Sequence, residues 1–323
     1  MVKYVLTGVG GQLGGHAADY AVAHKRPDDT LVLTSSNVST LAPSRVAAWT
    51  QKGAIVAQAD YEDVDSLARV FQDAAAVAFV STWLIGDRRR GQMANCITAA
   101  KAAGVQRVCY TSFVGAGSAQ PNDQLPFLPR DHQFTEQLIV ASGLAYNIQR
   151  NWLYQDNTPR LFARAWPFTG DQWLSNSHNV PGAYVATEDC GRVFGALLLG
   201  KQTENTVVSV TGPEAVTDRQ VFDWMNALSG YNGQFVDMPD AELRAYWLER
   251  GLPTDADGDF AGLPVKLCID DLLCCGETLA NGSMRDVTDT VERLTGRKPL
   301  SFKENLLQYK DIFPKNGTTG ASK

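Results

Sequence analysis

Gly8, Gly11 and Gly14 fall at GxxGxxG spacing in Thr7-Gly8-Val9-Gly10-Gly11-Gln12-Leu13-Gly14-Gly15, directly after the apolar run Tyr4-Val5-Leu6. A strand that breaks into glycines and then into a helix brings a backbone against an anionic pyrophosphate. Gly8 permits the tight turn, Gly11 lets the backbone approach the phosphates, and Gly14 lets helix and strand pack closely. The following helix, expected over Gln12 to Lys25, aims its free N–H groups and positive dipole end at the anion. Thr7, Gly10, Gln12 and Leu13 complete the turn. Glycines also mark ordinary turns, so it is their placement between strand and helix that gives the dinucleotide reading its force.

Other candidates stand where apolar strands end. Thr34-Ser35-Ser36-Asn37 closes the second strand, where an acidic residue would grip an adenosine ribose diol and mark NAD. Ser35, Ser36 and Asn37 would not repel a 2′-phosphate, so NADP(H) is expected in preference to NAD(H), with Arg45 the nearest cation; the plainer reading is that Ser35 and Asn37 cap the next turn. Asp60-Tyr61 past the third strand would meet the adenine, unless Asp60 is simply a helix N-cap. Ser81-Thr82-Trp83 would line the nicotinamide side, unless Trp83 is core. Thr111-Ser112-Phe113 ends the fifth strand, with the Ser112 hydroxyl placed to polarise a carbonyl. Beyond a loop with Pro121, Pro126 and Pro129, His132 is the one group there that ordinarily titrates near neutrality. It could exchange a proton or hold the ribose, or it could be polar surface.

The elements that must position these residues alternate. Strands are expected at Leu31–Thr34, Ala54–Gln58, Ala76–Ser81, Arg107–Thr111 and Ala145–Gln149, with helices near Asp63–Asp73, Arg89–Ala103 and Asp131–Ser142. Gly104 and Gly143 sit just past two of those helices, as C-cap glycines do. Such alternation with continuous apolar strands predicts a doubly wound α/β fold, a parallel Rossmann sheet covered on both faces that binds ligands beyond its strand ends. After Tyr154 the pattern loosens. Trp166 to His178 has no clear period, Thr187–Leu199 returns to helix, and Thr206–Thr211 and Gln234–Asp237 read as strands. Helices follow from the capping box Thr217…Gln220, over Pro239–Arg250, near Asp286–Thr295, and from Ser301…Glu304 to Lys310. The expected division is a nucleotide-binding domain over 1–155 and a smaller, irregular substrate lobe over 156–314 with some elements returning to the first domain. A disordered tail is expected over 315–323.

Composition limits the function. Apolar residues make up 44% and charged residues 20% of 323, ordinary for a globular chain. A net charge of -6 leaves no footprint for nucleic acid. No apolar run nears the roughly 18 residues that cross a membrane, and no signal peptide opens the chain. The six cysteines show no framework spacing and the four histidines no ligand cluster, so a reduced, cytoplasmic protein without a metal site is expected, as monomer or homodimer.

Several segments, in order along nearly the whole chain, carry a resemblance: Tyr4–Gly15, Gly104-Val105-Gln106-Arg107-Val108, Tyr110-Thr111-Ser112, Gly143-Leu144-Ala145-Tyr146 through Asn157, Ala183-Tyr184-Val185 and Val287–Pro299. Together they resemble the NmrA-like family of atypical short-chain dehydrogenases, especially its quinone-oxidoreductase-like and fungal secondary-metabolism members. The resemblance implies an NAD(P)-binding Rossmann domain with a small C-terminal substrate lobe. It puts Gly8, Gly11, Gln12, Leu13 and Gly14 at the pyrophosphate, and Ser36-Asn37 where relatives carry Arg-Asn for the 2′-phosphate. It places His132 where isoflavone-reductase-like relatives carry a catalytic lysine, a site at which histidine recurs in the quinone-reductase-like branch. It also sets Arg150-Asn151-Trp152-Leu153-Tyr154…Asn157 beside nicotinamide and substrate. Asn151 is thus expected at the cofactor, and Tyr154 at the pocket or in packing between the lobes.

The chain contains no Tyr-x-x-x-Lys, so the acid/base pair of standard short-chain dehydrogenases is missing. The expected function is an NAD(P)H-dependent oxidoreductase that delivers hydride to a small carbonyl-bearing or unsaturated molecule, with His132, Ser112 and Tyr154 as catalytic candidates. Two alternatives stand beside it: a non-enzymatic NAD(P) sensor that binds a partner protein, and an enzyme that keeps the cofactor as a scaffold for a rearrangement. An enclosed aromatic pocket at the nicotinamide favours an enzyme; a filled or absent one favours the sensor.

Overall fold

The apolar runs form strands that are buried on both faces at the centre of the sheet and half-exposed at its edges, where Ile55 is 52% exposed. In the computed structural model, described over residues 1–162, 165, 168–263 and 267–313, β1 (Lys3–Leu6), β2 (Thr30–Ser35), β3 (Ala54–Gln58), β4 (Ala76–Phe79), β5 (Arg107–Phe113) and β6 (Ala145–Asn151) run parallel. Beyond β7 (Gln172–Ser175), β8 (Thr206–Val210) joins the same sheet against β6. The order β3-β2-β1-β4-β5-β6-β8 reverses between β1 and β4, and ligands bind outside the carboxyl ends at such a reversal. The Rossmann expectation therefore holds. β7 and β9 (Gln234–Asp237) pair separately as two parallel strands.

Helix α1 (Gln12–His24) starts at Gly11 with no side-chain cap, so its first amides stay free for another acceptor. Its seat leaves no space for side chains. A Cβ at Gly14 would overlap the Gly8 carbonyl oxygen, and Gly8 itself has φ +69. On the other side α1 meets α6 (Thr187–Leu198), where a Cβ at Gly191 would lie 2.7 Å from the Leu13 carbonyl oxygen and one at Gly195 2.8 Å from that of Ala17. The short helices α2 (Pro43–Gln51) and α3 (Val64–Phe71) follow β2 and β3, and α4 (Gly86–Ala102) and α5 (Phe127–Ala141) follow β4 and β5. Residues of α3, α4 and α5 form the core of one sheet face around Leu67, Phe71, Met93, Ile97 and Ile139, whereas α1 and α6 pack on the other.

The chain after residue 155 serves both regions. α6 and β8 extend the Rossmann unit. Helices α7 (Asp218–Ser229), α8 (Asp240–Glu249) and α9 (Ile269–Ala280) stand with β7 and β9 over the strand ends, with a small apolar core of Leu174, Leu243, Trp247, Ile269 and Leu273. Two short helices, α10 (Thr290–Thr295) and α11 (Phe302–Leu307), close the described chain. The boxes at Thr217…Gln220 and Ser301…Glu304 form as expected. The tail assigned to 315–323 lies outside the described residues.

Two differences from the sequence reading bear on the site. α5 begins at Phe127, not Asp131, because Pro129 falls in the first turn, where a missing N–H is no loss. His132 therefore lies inside the helix and is buried. The sequence reading also has no α9, whose apolar pattern is broken by Gly276. That glycine is required because the Asn176 side chain occupies the place of its Cβ, donating to the Leu273 carbonyl at 3.1 Å and to Asp240 at 2.8 Å.

The glycines separate folding from binding. Gly14→Ala drives a methyl into a fixed backbone oxygen, beyond the ~1–3 kcal/mol usual for overpacking, and thermal denaturation should show a large fall in Tm. At Gly11 a Cβ meets only ordinary contact, 3.5 Å from the Gly8 oxygen. Gly11→Val should keep its circular dichroism spectrum and lose NAD(P) binding by calorimetry; unchanged affinity would remove the dinucleotide assignment at this turn.

Candidate functional site

Two concavities lie over the carboxyl ends of the sheet. The first, a groove of about 820 Å³, runs past Gly8, Gly10, Gly11, Gln12, Leu13 and Gly14. The amides of Gln12, Leu13 and Gly14 have no backbone acceptor among the described residues, so the helix end presents donors and a positive dipole end to the groove. At the far end of the groove are Ser35, Ser36 and Thr40; Asp60, Tyr61 and Thr111 also border it. A cradle that a Cβ would fill, open amides and no carboxylate at the end of β2 together suit a dinucleotide.

Side chains at the groove's edge divide into lining and scaffold. The Ser35 hydroxyl donates to the Asn37 carbonyl at 3.2 Å, and Asn37 Oδ1 accepts the Ser39 amide at 3.0 Å. Asn37 thus caps its turn and does not border the groove, while Ser36 is exposed there. Arg45 is drawn away: it pairs with Asp19 at 2.5 Å and stands 5.3 Å over the Trp49 ring. Among the described residues, the cation that borders the groove is Arg88, held by Glu62 at 2.7 Å. Thr7 faces inward, donating to the Ala78 carbonyl at 3.0 Å and touching the Tyr61 hydroxyl, which donates to the Val80 carbonyl at 2.8 Å. Asp60 is not the N-cap of α3; Asp63 is.

The second concavity is a cavity of about 320 Å³ with Phe113, Trp152, Trp173 and Trp247 among its walls and Arg89, His132 and Asp271 among its polar members. Five residues border both spaces: Ser81, Thr82, Trp83, Tyr154 and Asn157. Trp83 is 58% exposed, so it is a mouth residue, not core. Thr111 accepts the Ser81 amide at 2.7 Å and donates to its hydroxyl at 3.1 Å, fixing this corner to β5.

Comparison with known proteins agrees with this geometry. The NAD(P)H-binding family matches residues 8–185, more than half of the chain. The chain belongs to that family. Among curated relatives, an NmrA-like family domain-containing oxidoreductase of Aspergillus flavus is 24% identical over 95% of this chain and 94% of its own. Quinone oxidoreductase 2 of Escherichia coli is 25% identical over 93% and 96%. These matches bear out the resemblance to the NmrA-like atypical short-chain dehydrogenases. In fold, the chain superposes on the E. coli NADPH-dependent quinone oxidoreductase complexed with NADPH with a TM-score of 0.76, at 24% identity, covering 95% of this chain and 99% of that one. The Citrobacter triphenylmethane reductase complexed with NADP(H) gives 0.74 at 20% identity, covering 95% and 99%.

Within this family fold the three catalytic candidates differ. Ser112 borders the cavity, but its hydroxyl donates to Glu136 at 2.5 Å, and Arg150 grips that carboxylate at 2.9 and 2.6 Å. Its proton is therefore committed to a structural network. Tyr154 accepts from Asn151 Nδ2 at 3.0 Å, and burial pushes its pKa far above the usual phenol value, so it keeps its proton. Asn151 borders neither space and acts by orienting Tyr154. His132 borders the cavity and not the groove. Its Nδ1 is 2.7 Å from the Tyr110 hydroxyl, leaving Nε2 without a partner among the described residues. Burial, and then the charge of Arg89, hold its pKa well below the ordinary 6.5. The imidazole is neutral at neutral pH, which corrects the expectation that it titrates there.

Arg89, Asp271, Trp173 and Trp247 are not among the site candidates read from the sequence, whereas Trp152 and Asn157 lie in the stretch that the resemblance sets beside the substrate. Arg89 sits in Arg88-Arg89-Arg90, which reads as a solvated helix face; only the start of α4 beneath the second lobe buries it.

The lowered pKa of His132 carries a sign. Below about 6.5 the unfolded chain binds a proton that the folded chain refuses, so His132 costs stability as pH falls through that value. Asp189 and Asp271, raised by burial to about 6, slope oppositely in the same window. The loss of Tm between about pH 7 and 5 should therefore be smaller in His132→Phe than in wild type; equal slopes would mean that the ring is protonated when folded.

Proposed function

We propose that the chain is an NADP(H)-preferring oxidoreductase that reduces a small aromatic carbonyl compound of the quinone or conjugated-enone class in the 320 Å³ cavity. One observation carries this: the groove suited to a dinucleotide and the aromatic cavity share the wall Ser81, Thr82, Trp83, Tyr154 and Asn157. A nicotinamide at that wall faces the cavity. An open cavity there also argues against a sensor, which would need no room for a second small molecule. The names of the two curated relatives, an oxidoreductase and a quinone oxidoreductase, support the class.

A bound reduced nicotinamide would supply the hydride. The chain's own residues supply position, dryness and a proton. The tryptophan and phenylalanine walls select a flat apolar body and exclude water, which strengthens every polar contact inside. In the tautomer in which the Tyr110 hydroxyl donates to Nδ1, the His132 proton sits on Nε2, as a neutral donor toward an oxygen that gains charge. The Tyr154 hydroxyl, held by Asn151, is a second such donor at the shared wall.

His132→Ala should lower turnover of NADPH oxidation with 2-methyl-1,4-naphthoquinone by roughly two orders of magnitude or more, with cofactor affinity changed far less. If affinity falls instead, His132 holds the cofactor; if neither moves, His132 takes no part in the reaction. The pH profile of turnover should show no inflection at the ordinary imidazole value. A rearrangement or a sensor would consume no NADPH with any carbonyl compound tried.

The cofactor preference rests on Ser35 and Ser36 at the end of β2, where no carboxylate opposes a 2′-phosphate. Ser36→Asp should shift the ratio of dissociation constants toward NAD(H). A wild-type protein that already prefers NAD(H) would contradict the preference for NADP(H).

A further inference from the structure

Two arginines are buried in the described structure, and their surroundings differ. Arg107 is fully engaged: Nη1 donates to Asn147 and to the Leu197 carbonyl, each at 2.8 Å, and Nη2 to the Leu198 carbonyl at 2.8 Å. Arg89 is 3% exposed and makes no hydrogen bond with any described residue; its Nε and Nη1 are buried without a partner. The acid nearest to it, Asp131, stands 3.9 Å away. Asp131 is otherwise occupied, since Oδ2 accepts the Gly86 amide at 2.6 Å and Oδ1 faces Arg90 at 3.2 Å. Arg90 is met by Asp87 as well, at 3.4 Å, so of the two guanidiniums Arg89 is the one that no described carboxylate reaches within hydrogen-bond distance. A buried guanidinium with open donors is strongly unfavourable unless something completes it.

Arg89 borders the substrate cavity. Arg89's charge is felt by His132 and by Asp271, both members of the same wall. We propose that Arg89 anchors the substrate by a charge-assisted fork on an ionised carboxylate, so that the cavity takes an aromatic carbonyl compound bearing an acid group. The guanidinium's planar donors match a carboxylate in two-point geometry, and Trp152, Trp173 and Trp247 hold the ring that carries it. Asp271 opposes such an anion from the same wall, which burial moderates by raising its pKa to about 6. The proposal rests on reading the cavity as the substrate site; its test reads binding without turnover.

The test titrates the full chain with naphthalene-2-carboxylate and with its neutral isostere naphthalene-2-carboxamide, following quenching of the cavity tryptophans. Wild type should bind the carboxylate about tenfold more tightly or better, as expected for a charge-assisted contact. Arg89→Met should abolish that preference and leave the carboxamide affinity within about twofold; Arg89→Lys, which keeps charge without the fork, should retain part of it. Asp271→Asn should tighten the carboxylate alone. No preference in wild type, or a preference that survives Arg89→Met, overturns the proposal. If Arg89→Met fails to fold by circular dichroism, unchanged carboxylate affinity in Asp271→Asn overturns it instead. A protein that oxidises NADPH with no carbonyl compound would contradict the function proposed above and leave the binding ratio standing.

Discussion

Helix α1 rests on the Gly8 carbonyl with no room for a methyl group between them, and the other features of the site depend on that contact. It fixes the direction of the helix N-terminus and its free amides, and so the place where an anion can sit. The same helix is clamped from behind by Gly191 and Gly195 of α6, again backbone to backbone. Packing of this kind tolerates no rotamer adjustment, because the neighbours are carbonyl oxygens and helix backbone. A segment well beyond the first half of the chain thereby sets the angle at which the first helix meets its ligand.

From that fixed end the crevice runs along the reversal between β1 and β4 to a corner fastened by Thr111 and Ser81. There the nucleotide groove gives way to a cavity roofed by β7, α8 and α9. The two spaces have opposite chemistry. The groove is open and offers backbone donors; the cavity is aromatic, buries a histidine in its neutral form and leaves an arginine's donors unmet. The low-dielectric side is where a developing charge gains most from a fixed donor.

The nucleotide half was legible from the sequence because its requirements are local. Gly8 needs positive φ, Gly14 needs to lack a Cβ, and a strand must precede them, all within a dozen residues. Strand runs were equally readable, and β3 and β9 match their expected bounds. The cavity wall built from Trp173, Trp247 and Asp271 was not legible, for a physical reason: it comes from segments far apart in the chain, and their residues follow no period. Gly276 hid α9, Pro129 made the start of α5 look like a loop, and Arg89 looked solvated among its neighbours. Some site residues proved to be scaffold: Thr7, Asn37 and Asn151 spend their hydrogen bonds holding turns and neighbours in place. Sequence spacing locates a residue near a ligand, but whether its side chain is free depends on contacts that only the fold supplies.

The relation between groove and cavity is best tested by a crystal structure of the full chain with NADP+ bound. The pyrophosphate should lie against the amides of Gln12, Leu13 and Gly14, with the nicotinamide ring at Ser81, Thr82, Trp83, Tyr154 and Asn157 and one face open to the cavity. A nicotinamide bound away from that wall, or walled off from the cavity by side chains, would contradict hydride delivery at this site.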